Sequence, residues 1–175
     1  MTNISQAEPS VLHHEIERKF LIKGDFMPEV FNTTHICQGY ISTNKNGTVR
    51  VRIRDDKGYL TIKGKSLDHG CSRLEWEKEI PLEEAQQLMQ LCGHNIIDKE
   101  RHLVHAADGV HIFEVDVFHG LNEGLVMAEV ELGSPEEVFS HPEWLGEEVT
   151  GDRRYYNSQL IINPFSQWSL NGSSE

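Results

Sequence analysis

Apolar and polar residues alternate over several short stretches of this chain. In "HHEIERKFLI" (13–22), Ile16, Arg18 and Phe20 interleave with Glu15, Glu17 and Lys19. "VRVRIR" opposes Val49, Val51 and Ile53 to Arg50, Arg52 and Arg54, and "LTIKGK" opposes Leu60 and Ile62 to Lys63 and Lys65. "RLEWEKEI" sets Leu74 and Trp76 against Arg73, Glu75, Glu77 and Glu79. "FEVDVF" sets Phe113, Val115 and Val117 against Glu114 and Asp116, and "AEVEL" sets Ala128, Val130 and Leu132 against Glu129 and Glu131. A period of two marks a strand with one face buried. Eight strands are predicted, over 13–22, 35–43, 48–54, 57–64, 73–80, 96–105, 110–118 and 125–132. "DDKG" (55–58) and "AADG" (106–109) read as hairpin turns between neighbours.

Helices are predicted around these strands. "IPLEEAQQLMQLCG" has Pro81 at its start, acids at 83–84, Leu88 and Leu91 three apart and Gly93 as a stop. "SPEEVF" (134–139) repeats the start signal, "TGDRRYYNSQLIINP" suggests a helix ending before Pro164, and a short helix is placed at 25–32. The expected organisation is one α+β domain over 13–164, between a disordered lead (1–12) and a tail (165–175).

Composition narrows the function classes. The chain has 175 residues, 38% of them hydrophobic, which suits one domain with a core. No apolar run is long enough to cross a bilayer, and the first residues lack a secretory pattern. Cys37, Cys71 and Cys92 are scattered, so neither a disulfide framework nor a structural zinc site is expected, and a reducing cytoplasm is the expected compartment. With 16 basic and 28 acidic residues the formal charge is −12, which argues against nucleic acid or an anionic membrane as partner.

The charges are segregated. An ordinary wet sheet face does best with mixed signs, because like charges opposite one another are destabilising. Here "VRVRIR" and "IKGK" are basic while "FEVD" and "AEVE" are acidic. A barrel with a charged lumen and an apolar outside covered by helices accommodates both. Its basic wall would hold a polyanion and its acidic wall divalent cations such as magnesium, which takes a few carboxylates and shares the rest with water and phosphate.

The same residues carry a family resemblance. "EIERK" matches the ExExK signature of the CYTH superfamily, the triphosphate tunnel metalloenzymes. "QGY", "VRVR", "LTIKG", "RLEWE", "FEVDVFHGLNEGLVMAEVEL" and "PEWLGEEVTGDRRYYN" resemble that family's successive blocks, in order. The resemblance implies an eight-stranded antiparallel β-barrel, a tunnel with a polar charged lumen and peripheral helices, binding a triphosphate with Mg²⁺ or Mn²⁺. Carried over by position, Lys19 would be catalytic, as a base or as an electrostatic contact. Arg50, Arg52, Lys63, Arg73, Lys99 and Arg101 would grip phosphate oxygens. Arg153 or its neighbour Arg154 would close one tunnel end. Glu15, Glu17, Glu75, Glu77, Glu114, Asp116, Glu129 and Glu131 would serve the metal ions. Phe113 stands where the family often has tryptophan.

"EIERKFL", "QGY" and "WLGEEVT" are most similar to the tripolyphosphatase branch. The interior set is nearly all charged, with no aromatic cluster for a purine, so cleavage of inorganic tripolyphosphate to pyrophosphate and phosphate is expected. Cyclisation of ATP, hydrolysis of an organic triphosphate such as thiamine triphosphate, and a non-catalytic polyphosphate receptor are the alternatives. A homodimer is compatible with the resemblance, although no surface feature demands one.

Overall fold

A computed structural model of the chain describes residues 13–65, 69 and 72–170. The lead at 1–12, Cys71 and the last five residues of the expected tail lie outside the described residues. Nine strands form: β1 (His13–Ile22), β2 (Val30–Asn44), β3 (Gly47–Arg54), β4 (Lys57–Gly64), β5 (Ser72–Ile80), β6 (Ile96–His105), β7 (Ile112–Phe118), β8 (Val126–Glu131) and β9 (Leu145–Glu148). All pairings are antiparallel, in the order β5-β4-β3-β2-β6-β7-β8-β1-β9. The sheet closes on itself where β5 returns to β1, from His13 opposite Glu75 to Ile16 opposite Ser72. The result is a closed antiparallel barrel of eight strands with few helices.

Closure gives β1 an unusual position. β8 pairs with its residues Glu17–Leu21 along one edge. The other edge is divided between β5, over residues 13–16, and β9, over Phe20 and Ile22. Residues that share parity with Glu15, Glu17 and Lys19 point into the barrel, and the opposite parity packs outside it. One outer cluster joins Phe20, Val104, Phe113, Val115, Ala128 and Val130 to Phe26, Phe139 and Trp144 from flanking loops. A second cluster closes one end of the barrel. There Leu21, Ile97, Phe118 and Met127 continue the inward rows as apolar residues and meet Tyr155, Leu160 and Phe165 of the C-terminal segment. The helix α1 (Leu82–Gln90) covers Val51 of β3 with Ala85. Its close approach requires glycine at 58, where a Cβ would stand 2.5 Å from that of Ala85.

Several expected elements differ. The short helix at 25–32 is a 3-10 turn, Met27–Glu29, after which β2 already begins at Val30. At 134–139 one turn forms, Glu137 N–H to Ser134 C=O, and no helix follows. The Glu137 carboxylate accepts instead from Gly133 N–H and from His111, and Phe139 is drawn into the outer cluster. The helix expected over 150–164 is broken into a 3-10 turn, Arg153–Tyr155, and a short α2 (Asn157–Leu160), with Tyr156 extended between them at φ −73° and ψ 132°. β9 was not expected. Residues 165–170, placed in the tail, form a 3-10 helix whose Phe165 and Trp168 pack on the second cluster.

His111 clasps two loops together. Its Nδ1 lies 3.0 Å from Asp108 and its Nε2 3.1 Å from Glu137, which joins the β6–β7 turn to the loop after β8. Both ring nitrogens donate only in the imidazolium. The hydrogen bond to Asp108 raises the His111 pKa; slight burial opposes this and Glu137 adds to it. The stabilisation is therefore complete below the unfolded histidine value of about 6.5 and is lost as pH rises through the raised folded value. Thermal melts should show His111→Gln losing more Tm at pH 6 than at pH 9; equal losses would show that the clasp needs no proton.

Candidate active site

The inward rows of the barrel meet around a cavity of about 220 Å³. Its wall carries eight lysine and arginine side chains and seven glutamates. Fourteen of the sixteen expected site residues are among them: Glu15, Glu17 and Lys19 from β1, Arg50 and Arg52 from β3, Lys63 from β4, Arg73, Glu75 and Glu77 from β5, Lys99 and Arg101 from β6, Glu114 from β7, and Glu129 and Glu131 from β8. Strand alternation puts them there, since those that share a strand are two residues apart.

Most of these charges are paired with one another, so the expected separation into a basic and an acidic wall is only partial. Lys63 Nζ contacts Glu15 and Glu75, each at 2.7 Å, and Arg73 bridges Glu15 at 3.1 Å and Glu17 at 3.0 Å. Lys19 Nζ is 2.8 Å from Glu129. Arg101 reaches Glu114, Asp116 and Glu129. Burial raises the Glu15 pKa, but Lys63 and Arg73 outweigh it and bring the carboxyl down to about 2.

Two groups are less evenly matched than the rest. The Arg52 guanidinium makes no hydrogen bond or ion pair among the described residues, and its buried Nε lacks a partner. Burial, together with the cations of Arg50 and Arg101, lowers its pKa to about 10. Arg50 beside it has a similar orphan Nε and only a 3.2 Å bond to Thr61 and a 3.5 Å contact to Glu77. Across the cavity, Glu17 has its pKa raised by burial and by the carboxylates of Glu129 and Glu15. Arg52 thus has no anion at contact distance, while Glu17 shares Arg73 with Glu15 among crowding carboxylates.

Lys19 is 5% exposed. Burial pulls its pKa down, yet Glu129 and Glu17 hold it above the ordinary lysine value. The geometry therefore favours a charged ammonium over a neutral base. Lys99 differs: burial lowers its pKa to about 8 despite Asp116.

Two expected site residues sit elsewhere. Asp116, placed by sequence in the metal-binding wall, lies behind it at 1% exposure. Its oxygens are held by Lys99 at 2.5 Å and by Arg101 through two bonds of 2.7 Å, so it orders these two cations from behind the wall. Arg153 borders a separate cavity of about 490 Å³ beside the β2–β3 hairpin, while Arg154 turns to Asp152. Among the described residues no three carboxylate, histidine or cysteine side chains are gathered as a ready metal site.

Arg54, on the charged face with Arg50 and Arg52 though given no role, completes the wall together with Tyr40, Thr48, Tyr156, Asn157 and Ser158, which sequence reasoning missed. Tyr40 shares the parity of Gln38 in "QGY", and the register sets the two opposite Arg50 and Arg52. The last three come from the broken C-terminal segment. Asn157 Oδ1 accepts from Lys99 Nζ at 3.3 Å, and the Tyr156 ring lies 5.6 Å from Lys19 Nζ. The interior is thus less purely ionic than expected, but Tyr156 spends a face on an ammonium.

Comparison with known proteins places the chain among related sequences. The family model described as CYTH domain matches residues 13–157. The inorganic triphosphatase of Acetivibrio thermocellus is 46% identical over 155 residues, which cover 88% of this chain and 97% of that protein. The inorganic triphosphatase of Nitrosomonas europaea is 34% identical over 152 residues, covering 85% and 97%. The crystal structure of the inorganic triphosphatase NE1496 superposes with a TM-score of 0.63 at 32% identity, covering 85% of this chain and 94% of that one.

Proposed function

Because the chain belongs to the CYTH domain family, we propose that it is a hydrolase of phosphoric anhydrides, cleaving inorganic tripolyphosphate to pyrophosphate and phosphate inside the barrel with Mg²⁺ or Mn²⁺. The observation that carries this reading is the adjacent Arg52 and Arg50, the first with no ion pair among the described residues and the second with only a 3.5 Å contact to Glu77, in a cavity otherwise balanced in charge. An inorganic polyanion fits it, and the two relatives named inorganic triphosphatase align over nearly their whole length.

A divalent cation fits the opposite side. The cavity wall is nearly neutral, so a triphosphate with several negative charges requires more positive charge than the protein brings. Glu17, buried, crowded by Glu129 and Glu15, paired in register with Glu131 and sharing Arg73 with Glu15, is the carboxylate that a further cation would relieve. Glu17, Glu129 and Glu131 would hold the metal with Glu114 beside them. When bound, it supplies charge neutralisation and lowers the pKa of attacking water.

The chain's own residues do the rest. Arg50 and Arg52 bind phosphate oxygens and face the charge that spreads over the transferring phosphoryl group. Lys19 acts as a cation, held by Glu129 where substrate can meet both. Asp116 fixes Lys99 and Arg101 so that they meet the chain without rearrangement. A reducing cytoplasm suits the unpaired thiols of Cys37 and Cys92.

Phosphate release from tripolyphosphate, ATP, thiamine triphosphate and pyrophosphate tests the reading. Tripolyphosphate should turn over fastest, chelation should abolish turnover, and Mg²⁺ or Mn²⁺ should restore it. Cyclic AMP from ATP, or tight tripolyphosphate binding without turnover, would replace the reading with a cyclase or a receptor.

A further inference from the structure

The central cavity and the 490 Å³ cavity beside the β2–β3 hairpin share four wall residues: Thr48, Arg73, Tyr156 and Ser158. These four form the neck between the two spaces. Thr48 and Ser158 are small, and Arg73 is tied back by Glu15 and Glu17. Tyr156 is therefore the bulk of the partition.

Its mounting is firm. Tyr156 N–H donates to Arg153 C=O at 3.1 Å, and its own carbonyl accepts from Gln159 and Leu160 at 2.8 and 2.9 Å. The preceding Tyr155 is buried against Trp168. Farther back, Val149 N–H donates to Lys19 C=O and Thr150 Oγ1 accepts from Lys19 N–H, which anchors the segment to β1. The ring itself rests over the Lys19 ammonium at 5.6 Å, a cation–π contact.

Two further cavities share wall residues with the central one. On one side a further cavity is lined by Glu15, Glu17, Glu114, Glu129, Glu131 and Glu137. That side is where the carboxylates proposed to hold the divalent cation stand, so a substituent sent that way would meet the cation and its ligands. The other way leads through the neck to a space bordered by Lys45, Lys65 and Arg153, which suits an anionic chain electrostatically. There Tyr156 stands across the path.

Resting on the triphosphatase reading above, we propose that Tyr156 sets the substrate class. It confines the site to unsubstituted inorganic triphosphate by walling off the basic space beside the β2–β3 hairpin, where a nucleoside or other organic group would otherwise lie. Tyr156 is a specificity residue on this account, and the reacting atoms remain with the ionic residues of the barrel.

The test measures kcat and KM of wild type, Tyr156→Ala and Tyr156→Phe with tripolyphosphate, methyl triphosphate and ATP. In Tyr156→Ala the ratio of kcat/KM for ATP to that for tripolyphosphate should rise roughly tenfold or more, as opening a steric pocket allows. The gain should sit in KM, the methyl triphosphate ratio should hardly move, and Tyr156→Phe should keep the wild-type ratios. An unchanged ATP ratio in a folded Tyr156→Ala overturns the inference while wild-type tripolyphosphatase activity stands. Absent wild-type activity overturns the underlying reading instead. Should the alanine variant not fold, competition in the wild type decides: methyl triphosphate should inhibit much more strongly than ATP, and equal inhibition overturns the proposal.

Discussion

Replacing Arg52 by alanine is expected to lower kcat/KM for tripolyphosphate by roughly 100- to 1,000-fold, the cost of removing one preorganised transition-state donor. The expectation comes from its surroundings. Lys63, Arg73, Lys99 and Arg101 each have a carboxylate partner that shares their charge, whereas the Arg52 guanidinium has none. Its pKa, held down to about 10 by burial and by two neighbouring cations, marks a positive charge waiting for an anion. The loss should appear in kcat as well as KM, because charge on the equatorial oxygens grows toward the transition state. Arg52→Lys should recover only part, since an ammonium cannot reproduce the planar fork. Lys57→Ala, at an exposed surface pair with Glu79, is the control and should leave turnover unchanged. Steady-state kinetics of the three variants decide, and a loss under tenfold for Arg52→Ala would remove it from the site.

Asp116→Ala is expected to destabilise the fold by about 3–5 kcal/mol, the range for removing one member of a buried ion pair. Asp116 lies between Lys99, 2% exposed, and Arg101, and its removal leaves two buried cations with less compensation. The burial-depressed pKa of Lys99 gives the pH dependence. A lysine whose folded pKa is about 8 against about 10.4 unfolded sheds its proton first in the folded state. Between those values the unfolded chain binds more protons, so stability rises with pH. Without Asp116 the folded value falls further and the window widens downward. Urea unfolding should therefore show the variant's deficit shrinking between pH 7 and pH 9. A deficit under 1 kcal/mol, or one that does not vary with pH, would mean that Asp116 is no keystone.

The charged rows were legible because six strands obey one rule: one parity is apolar and packs outside the barrel, and the other is charged and faces the cavity. Where a strand has no such contrast, the pattern is silent. β9 is four residues, "LGEE", with a single apolar side chain. The first part of β2 is largely exposed, and the proline at 28 before it mimics a helix start. The helix expected at 150–164 failed for another reason. Tyr155 belongs to the apolar cluster and Tyr156 to the charged cavity, and the extended residue between two short helices is how the chain satisfies both.

The site was legible as a set and not as a network. Parity says that Asp116 and Glu114 share a face, but not that Arg101 sits opposite Asp116 in register. That pairing decides that Asp116 orders cations while Glu114 lines the cavity. Tyr156 and Ser158 gave no periodic signal, since they lie where no element runs long enough to have one.

The interior of this barrel arrives with its own counter-ions. Because glutamates already neutralise most of the lysines and arginines, the polypeptide can mature before any phosphate or metal is present. Capturing a ligand then means exchanging partners inside the fold, and some of the attraction must be spent on prising native pairs apart. The molecule thereby gives up a measure of grip in return for being able to wait empty and to let its products go.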